Sequence, residues 1–110
     1  MKRFSVSRKT ALASVGDGWA DIINKIYDAK PRNIDILQVK EKFGELRVYT
    51  GSYKIGQDWF QDLIECYTDL STRICEVCGK AGKRRSDLGW ILTLCNEHYT
   101  ERKDEYGNME

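Results

Sequence analysis

The chain has a single histidine, His98, and no long run of apolar residues. Without such a run nothing in it reads as a membrane span. Lys2 and Arg3 imitate the charged start of a secretion signal, but Ser5, Ser7, Arg8, Lys9 and Thr10 interrupt any apolar stretch behind them. A cytoplasmic, disulfide-free setting is therefore expected. Large net charge is also missing. At +1 the chain lacks the basic excess of a strongly nucleic-acid-binding protein.

Cysteine, by contrast, is organised. Cys75, Cys78, Cys95 and His98 form the pattern C-x2-C-x16-C-x2-H, and Gly79 follows the first pair. Thiolate and imidazole in two such pairs suit one tetrahedral Zn2+, and four protein ligands make a closed, structural site. Two ligands separated by two residues reach one ion from a tight turn, and glycine lets the chain leave that turn with positive φ. Cys95 and His98 precede a helix-like run, so this pair is placed at a helix start. Between the pairs, a polar segment from Gly79 to Arg85 and a strand-like segment from Gly89 to Leu94 suggest a hairpin. Knuckle, hairpin and helix-borne ligands resemble a treble-clef zinc finger. Two disulfides, counting Cys66, are disfavoured in a reducing cytosol, and a redox C-x-x-C would not need Cys95 and His98 at matched spacing.

At 110 residues the chain is one domain with a modest core, to which a metal adds stability. The fold class expected is α+β: a helix, a β-hairpin, a second helix, then the finger. The expected divisions are a basic N-terminal arm over residues 1–13, an α-β-β-α core over 14–74, the finger over 75–106 and a tail over 107–110. Within the arm, Phe4 and Val6 also alternate as a short edge strand would. Asp17 is a candidate N-cap for a helix over 18–30, where Trp19, Ile22, Ile23, Ile26 and Tyr27 share one face. Trp19 reads as core, and Pro31 ends the helix. Residues 34–41 and 45–50 read as the hairpin, with Leu37, Val39, Leu46 and Val48 inward and Gly44 in the turn. In the helix over 57–74, Trp59, Leu63, Cys66, Tyr67, Leu70 and Ile74 form the apolar stripe, widened by Phe60 and Ile64. Cys66 reads as a small buried residue.

Several of these segments together resemble one family. They are Gly16-Asp17-Gly18-Trp19, the run Gln38 to Arg47, Cys75-Glu76-Val77-Cys78-Gly79, and Gly89-Trp90 leading to Thr93-Leu94-Cys95 and His98. Their order and spacing are similar to those of small zinc-finger proteins of bacteriophages and prophages. The resemblance spans about residues 16 to 98. It implies action in a bacterial cytoplasm and host manipulation, such as inhibition of a defence system, without naming a target.

A catalyst is not expected. The one histidine is committed to metal, so Ser–His, Cys–His and HNH-type schemes lack a base. Cys95-Asn96-Glu97 echoes the zinc deaminases, but in reversed order. Two binding readings remain. In the first, a host protein is engaged by the acidic helix face of Asp58, Asp62, Glu65 and Asp69, with Trp90 as an apolar anchor. The alternative is nucleic-acid contact through the basic finger loop, Lys80, Lys83, Arg84 and Arg85, aided by Lys2, Arg3, Arg8 and Lys9. The unpaired hairpin edge is compatible with a monomer or a homodimer.

Overall fold

The computed structural model describes residues 5–108 and is a mixed α+β fold. Of the expected basic arm, Lys2, Arg3 and Phe4 lie outside the described residues. The described part is not an arm. Arg8–Ser14 form a helix, α1, capped by Ser7, whose Oγ accepts from the Thr10 N–H at 3.2 Å. Ala11 is buried against the core. The Arg8 guanidinium donates to Asp28 at 2.8 Å and to Asn24, and lies over the Tyr27 ring. Val6 forms no strand, yet its N–H donates to the Ile36 carbonyl at 2.7 Å and its own carbonyl accepts from the Tyr27 hydroxyl. A cap and tertiary contacts make this helix. Its seven residues are too few to show a period.

Asp17 does not cap the next helix. Asp17–Trp19 form a 3-10 turn, and Trp19 takes the N-cap position of α2, Ala20–Ala29. Trp19, Ile22, Ile23 and Ile26 are buried as their spacing requires. Lys30 is extended ahead of Pro31, and the helix stops there.

Strands β1 (Ile36–Lys42) and β2 (Glu45–Thr50) pair antiparallel with Lys42 opposite Glu45. That register leaves a two-residue turn, Phe43-Gly44, with φ of 56° and 77°. Positive φ at both positions matches the twist of the hairpin. Val39, Leu46 and Val48 point inward, but Leu37 does not. The register shifts between Ile36 and Gln38, so Ile36 takes the core position and Leu37 is exposed.

Helix α3 (Asp58–Ser71) lies against β2 and α2. Its buried residues are Phe60, Ile64 and Ser71. The stripe expected from the sequence lies to one side of this line: Trp59 is 47 % exposed, Cys66 is exposed, and Leu63, Tyr67 and Leu70 are half-buried. Cys66 is therefore not a core residue. Leu63, Tyr67, Leu70 and Ile74 do pack against the core, centred on the Phe60 and Ile64 that widen the expected stripe, so only its Trp59 and Cys66 edge turns to solvent.

Ser71 is fully buried; its hydroxyl accepts from the Leu46 N–H at 2.9 Å and donates to the Thr68 carbonyl. Ser71→Ala leaves the buried Leu46 N–H without its acceptor. The expected loss is about 1–3 kcal/mol in urea unfolding, with m unchanged.

Candidate metal centre

Past α3 the chain turns through Cys75–Gly79. The Gly79 N–H donates to the Cys75 carbonyl and the Cys75 N–H to the Lys80 carbonyl, at 2.9 and 2.7 Å. Gly79 leaves the turn with φ 83°. Strands β3 (Lys83–Arg85) and β4 (Leu92–Leu94) then pair antiparallel. β4 is shorter than the expected 89–94 strand, because Gly89 has φ 93°. Cys95 directly precedes α4, Asn96–Asn108, and His98 stands in its first turn. Leu88, Leu92 and Leu94 pack with Cys75 and Cys95 in a second apolar cluster.

The four expected ligands meet here. Their donor atoms all lie within 4.8 Å of one another. Cys78 Sγ and Cys95 Sγ are 3.8 Å apart, Cys75 Sγ and His98 Nδ1 3.6 Å, and Cys95 Sγ and His98 Nδ1 3.2 Å. A tetrahedral ion with bonds of ~2.3 Å to sulfur and ~2.0–2.1 Å to nitrogen has edges of ~3.8 Å between sulfurs and ~3.5 Å between sulfur and nitrogen. The cage is thus of the right size for one metal ion, with Nδ1 as the imidazole donor. Burial pushes the Cys75 thiol up, but the N–H groups of Cys95, Cys78 and Val77 outweigh it and bring it down to about 7. The His98 N–H lowers Cys95 likewise, and the Cys95 and Cys75 sulfurs raise His98. Cys75 and Cys95 are thus drawn toward thiolate, whereas Cys78, although the Lys80 N–H lowers it, is raised on balance by burial and the neighbouring Cys75 and Cys95 sulfurs.

Two sets of contacts fix the cage to the core. On one side, the Gly18 N–H donates to the Glu76 carbonyl at 2.9 Å, and Trp19 Nε1 to the Ile74 carbonyl at 2.9 Å. The backbones touch so closely that a Cβ on Gly18 would fall 1.9 Å from the Cys75 oxygen, and one on Gly16 2.1 Å from the Glu76 oxygen. On the other side, Thr93 Oγ1 donates to the Gly44 carbonyl, and the Thr93 N–H to Glu76 Oε2. The Arg84 guanidinium donates twice to the Phe43 carbonyl, at 2.6 and 3.1 Å.

Arg84 is therefore occupied, and so is Arg85, which donates to the Leu94 carbonyl and Asn96 and stacks on the Tyr99 ring at 4.3 Å. Lys80 and Lys83 are exposed. Asp58, Asp62, Glu65 and Asp69 are exposed on α3, with Asp69 paired to Arg73 at 3.1 Å. Trp90 is 67 % exposed on the loop between β3 and β4. A group not singled out from sequence closes that loop onto α4. Asp87 accepts from the Tyr99 hydroxyl and from Lys103, the latter at 2.6 Å, and Lys103 with Tyr99 holds its carboxyl down at about 2. These residues stand 12 and 16 positions apart and carry no local signal.

No family model matches the chain, and neither the curated proteins nor the solved structures contain a match.

Cys78→Ser is expected to abolish stoichiometric metal and lower the melting temperature, read by elemental analysis and calorimetry. Gly18→Ala should cost about 3 kcal/mol in chemical unfolding and weaken metal retention, although it removes no ligand. Metal affinity, measured against a competing chelator, should fall as pH drops below about 7, where protons compete for Cys75 and His98. In metal-loaded protein, alkylation should modify Cys66 alone.

Proposed function

We propose that this chain is a non-catalytic, zinc-stabilised module that works by binding a protein. The observation that carries the reading is the closed Cys3His cage: four donors at tetrahedral spacing leave no position for a substrate or an activated water. Three thiolates and an imidazole favour zinc among the common divalent ions. A knuckle, a hairpin and a ligand-bearing helix follow one another, which supports a treble-clef-like finger. The metal's role is then to hold surface features in place.

The acidic face of α3, formed by Asp58, Asp62, Glu65 and Asp69, is the proposed contact surface, with Trp90 exposed on the finger loop as a further anchor. The segments resembling phage and prophage proteins support a bacterial host protein as the target, and inhibition of a host defence as the outcome. Nucleic-acid contact has less to draw on. Arg84 and Arg85 spend their guanidinium groups on backbone carbonyls, which leaves Lys80 and Lys83 as the finger-loop cations free for phosphate.

Tagged, zinc-loaded protein should recover one host protein from bacterial lysate, in equal amount with and without nuclease treatment, and Asp62→Lys with Glu65→Lys should reduce the yield. Recovery of nucleic acid, with the proteins lost after nuclease, would replace this reading with the nucleic-acid one.

A further inference from the structure

The apolar stripe of α3 meets the edge of the core through Leu63, Tyr67 and Leu70 and leaves Trp59 and Cys66 exposed beside a groove. Trp59, Leu63, Cys66 and Leu70 follow one another at helical intervals. Beside them lies a depression of about 510 Å³ lined by Leu63, Cys66, Tyr67, Asp69, Leu70 and Arg73. Tyr67 and Leu70 also line a second cavity, of about 330 Å³, which continues between α2 and α3 to Asp17, Gly18, Cys78 and Gly79 at the metal knuckle. The two cavities share Tyr67 and Leu70 as walls.

The charge around these cavities has one uncompensated sign. Their two cations are each held by an acid four residues earlier in the chain, Lys25 by Asp21 at 3.2 Å and Arg73 by Asp69 at 3.1 Å. Asp17 at the knuckle end, and Asp58, Asp62 and Glu65 along α3, have no ion pair among the described residues. Asp58, Asp62 and Glu65 line neither cavity but stand exposed on the same helix, and an apolar groove beside such a face is complementary to an apolar surface edged with cations. A second copy of this chain would bring the same acids against themselves. Nucleic acid and anionic lipid would be repelled.

We propose that this groove receives a basic amphipathic helix of the partner protein. The inference rests on the protein-binding reading and names its surface and the chemistry of its occupant. The occupant is a helix because the groove follows α3 and no open strand edge lines it, which suits apolar side chains spaced i, i+3, i+4 and i+7. Its length is set by the 14 residues of α3, about 21 Å at ~1.5 Å per residue. Trp90, on the finger loop, does not line the groove.

The test uses zinc-loaded full-length protein and three fluorescent synthetic peptides of that length: an amphipathic Leu/Lys helix, its Leu/Glu counterpart, and a Lys/Gly peptide without an apolar face. Anisotropy should show saturable binding of the Leu/Lys peptide alone. Cys66→Lys places an ammonium on an already exposed position in the stripe, so the fold survives and affinity should fall roughly tenfold or more. Ile55→Ala, at an exposed position that lines neither cavity, should leave affinity unchanged. The bound peptide should also protect Cys66 from alkylation. Equal binding of the Leu/Glu or Lys/Gly peptide, no binding of the Leu/Lys peptide, or unchanged affinity in Cys66→Lys would each overturn the proposal. So would a dimer in sedimentation that Cys66→Lys dissociates. A host partner captured equally well by wild type and Cys66→Lys would sink the groove while sparing the protein-binding reading; nuclease-sensitive capture would sink that reading itself.

Discussion

The backbone of Gly16–Gly18 lies against the backbone of Cys75–Glu76 with no space for a side chain on the glycines, and that contact makes two apolar clusters into one body. The larger cluster belongs to α2, the first hairpin and α3, and the smaller to the metal-bearing segment. Neither is large enough to be robust alone. The bond from Gly18 to Glu76 and the indole bond from Trp19 to Ile74 fix their relative position. Trp19 fills the main core with its ring while its N–H is spent on the knuckle, so one side chain serves both clusters.

A second seam repeats the arrangement on the other side of the cage. Glu76, one residue after Cys75, takes the Thr93 N–H on its carboxylate, and the Thr93 hydroxyl donates a hydrogen bond to the Gly44 carbonyl in the turn. Glu41 accepts the Gly44 N–H from within the same hairpin. The positive φ of Phe43 and Gly44 thus does more than reverse the chain. It presents the Phe43 and Gly44 carbonyls outward, where Arg84 and Thr93 meet them. The segments Gly16–Trp19, Gln38–Arg47 and Thr93–His98 are distant in sequence but are the three sides of this joint.

What the sequence displayed depended on whether the cause was local. Cys75, Cys78, Cys95 and His98 were visible because a group able to hold one ion needs its donors at such a spacing. Ile22, Ile23 and Ile26 were visible because one helix face meets one core. α1 was not, since a Ser7 cap and contacts to Asp28 and Ile36 hold it rather than a period. Leu37 was misplaced by a one-residue irregularity in strand pairing that leaves no mark in composition. On α3 the pattern was seen and most of it meets the core, but its breadth hid that the centre lies at Phe60 and Ile64, which leaves Trp59 and Cys66 at the exposed edge. The Arg84 and Arg85 cations were counted as loop charge, whereas their carbonyl partners come from distant backbone.

The contact between Gly18 and Glu76 joins positions separated by more than half the chain. Its loop must close before either seam forms, so assembly has a high contact order despite the molecule's helical content, and folding is slower than that of a local helical bundle of the same size. On a ribosome the 3-10 turn at Asp17–Trp19 emerges long before the segment it docks against. Until then its backbone N–H groups and the Trp19 ring are open to water and to chaperones. The stretch that ties the cage to the core is thereby also the one longest exposed during synthesis.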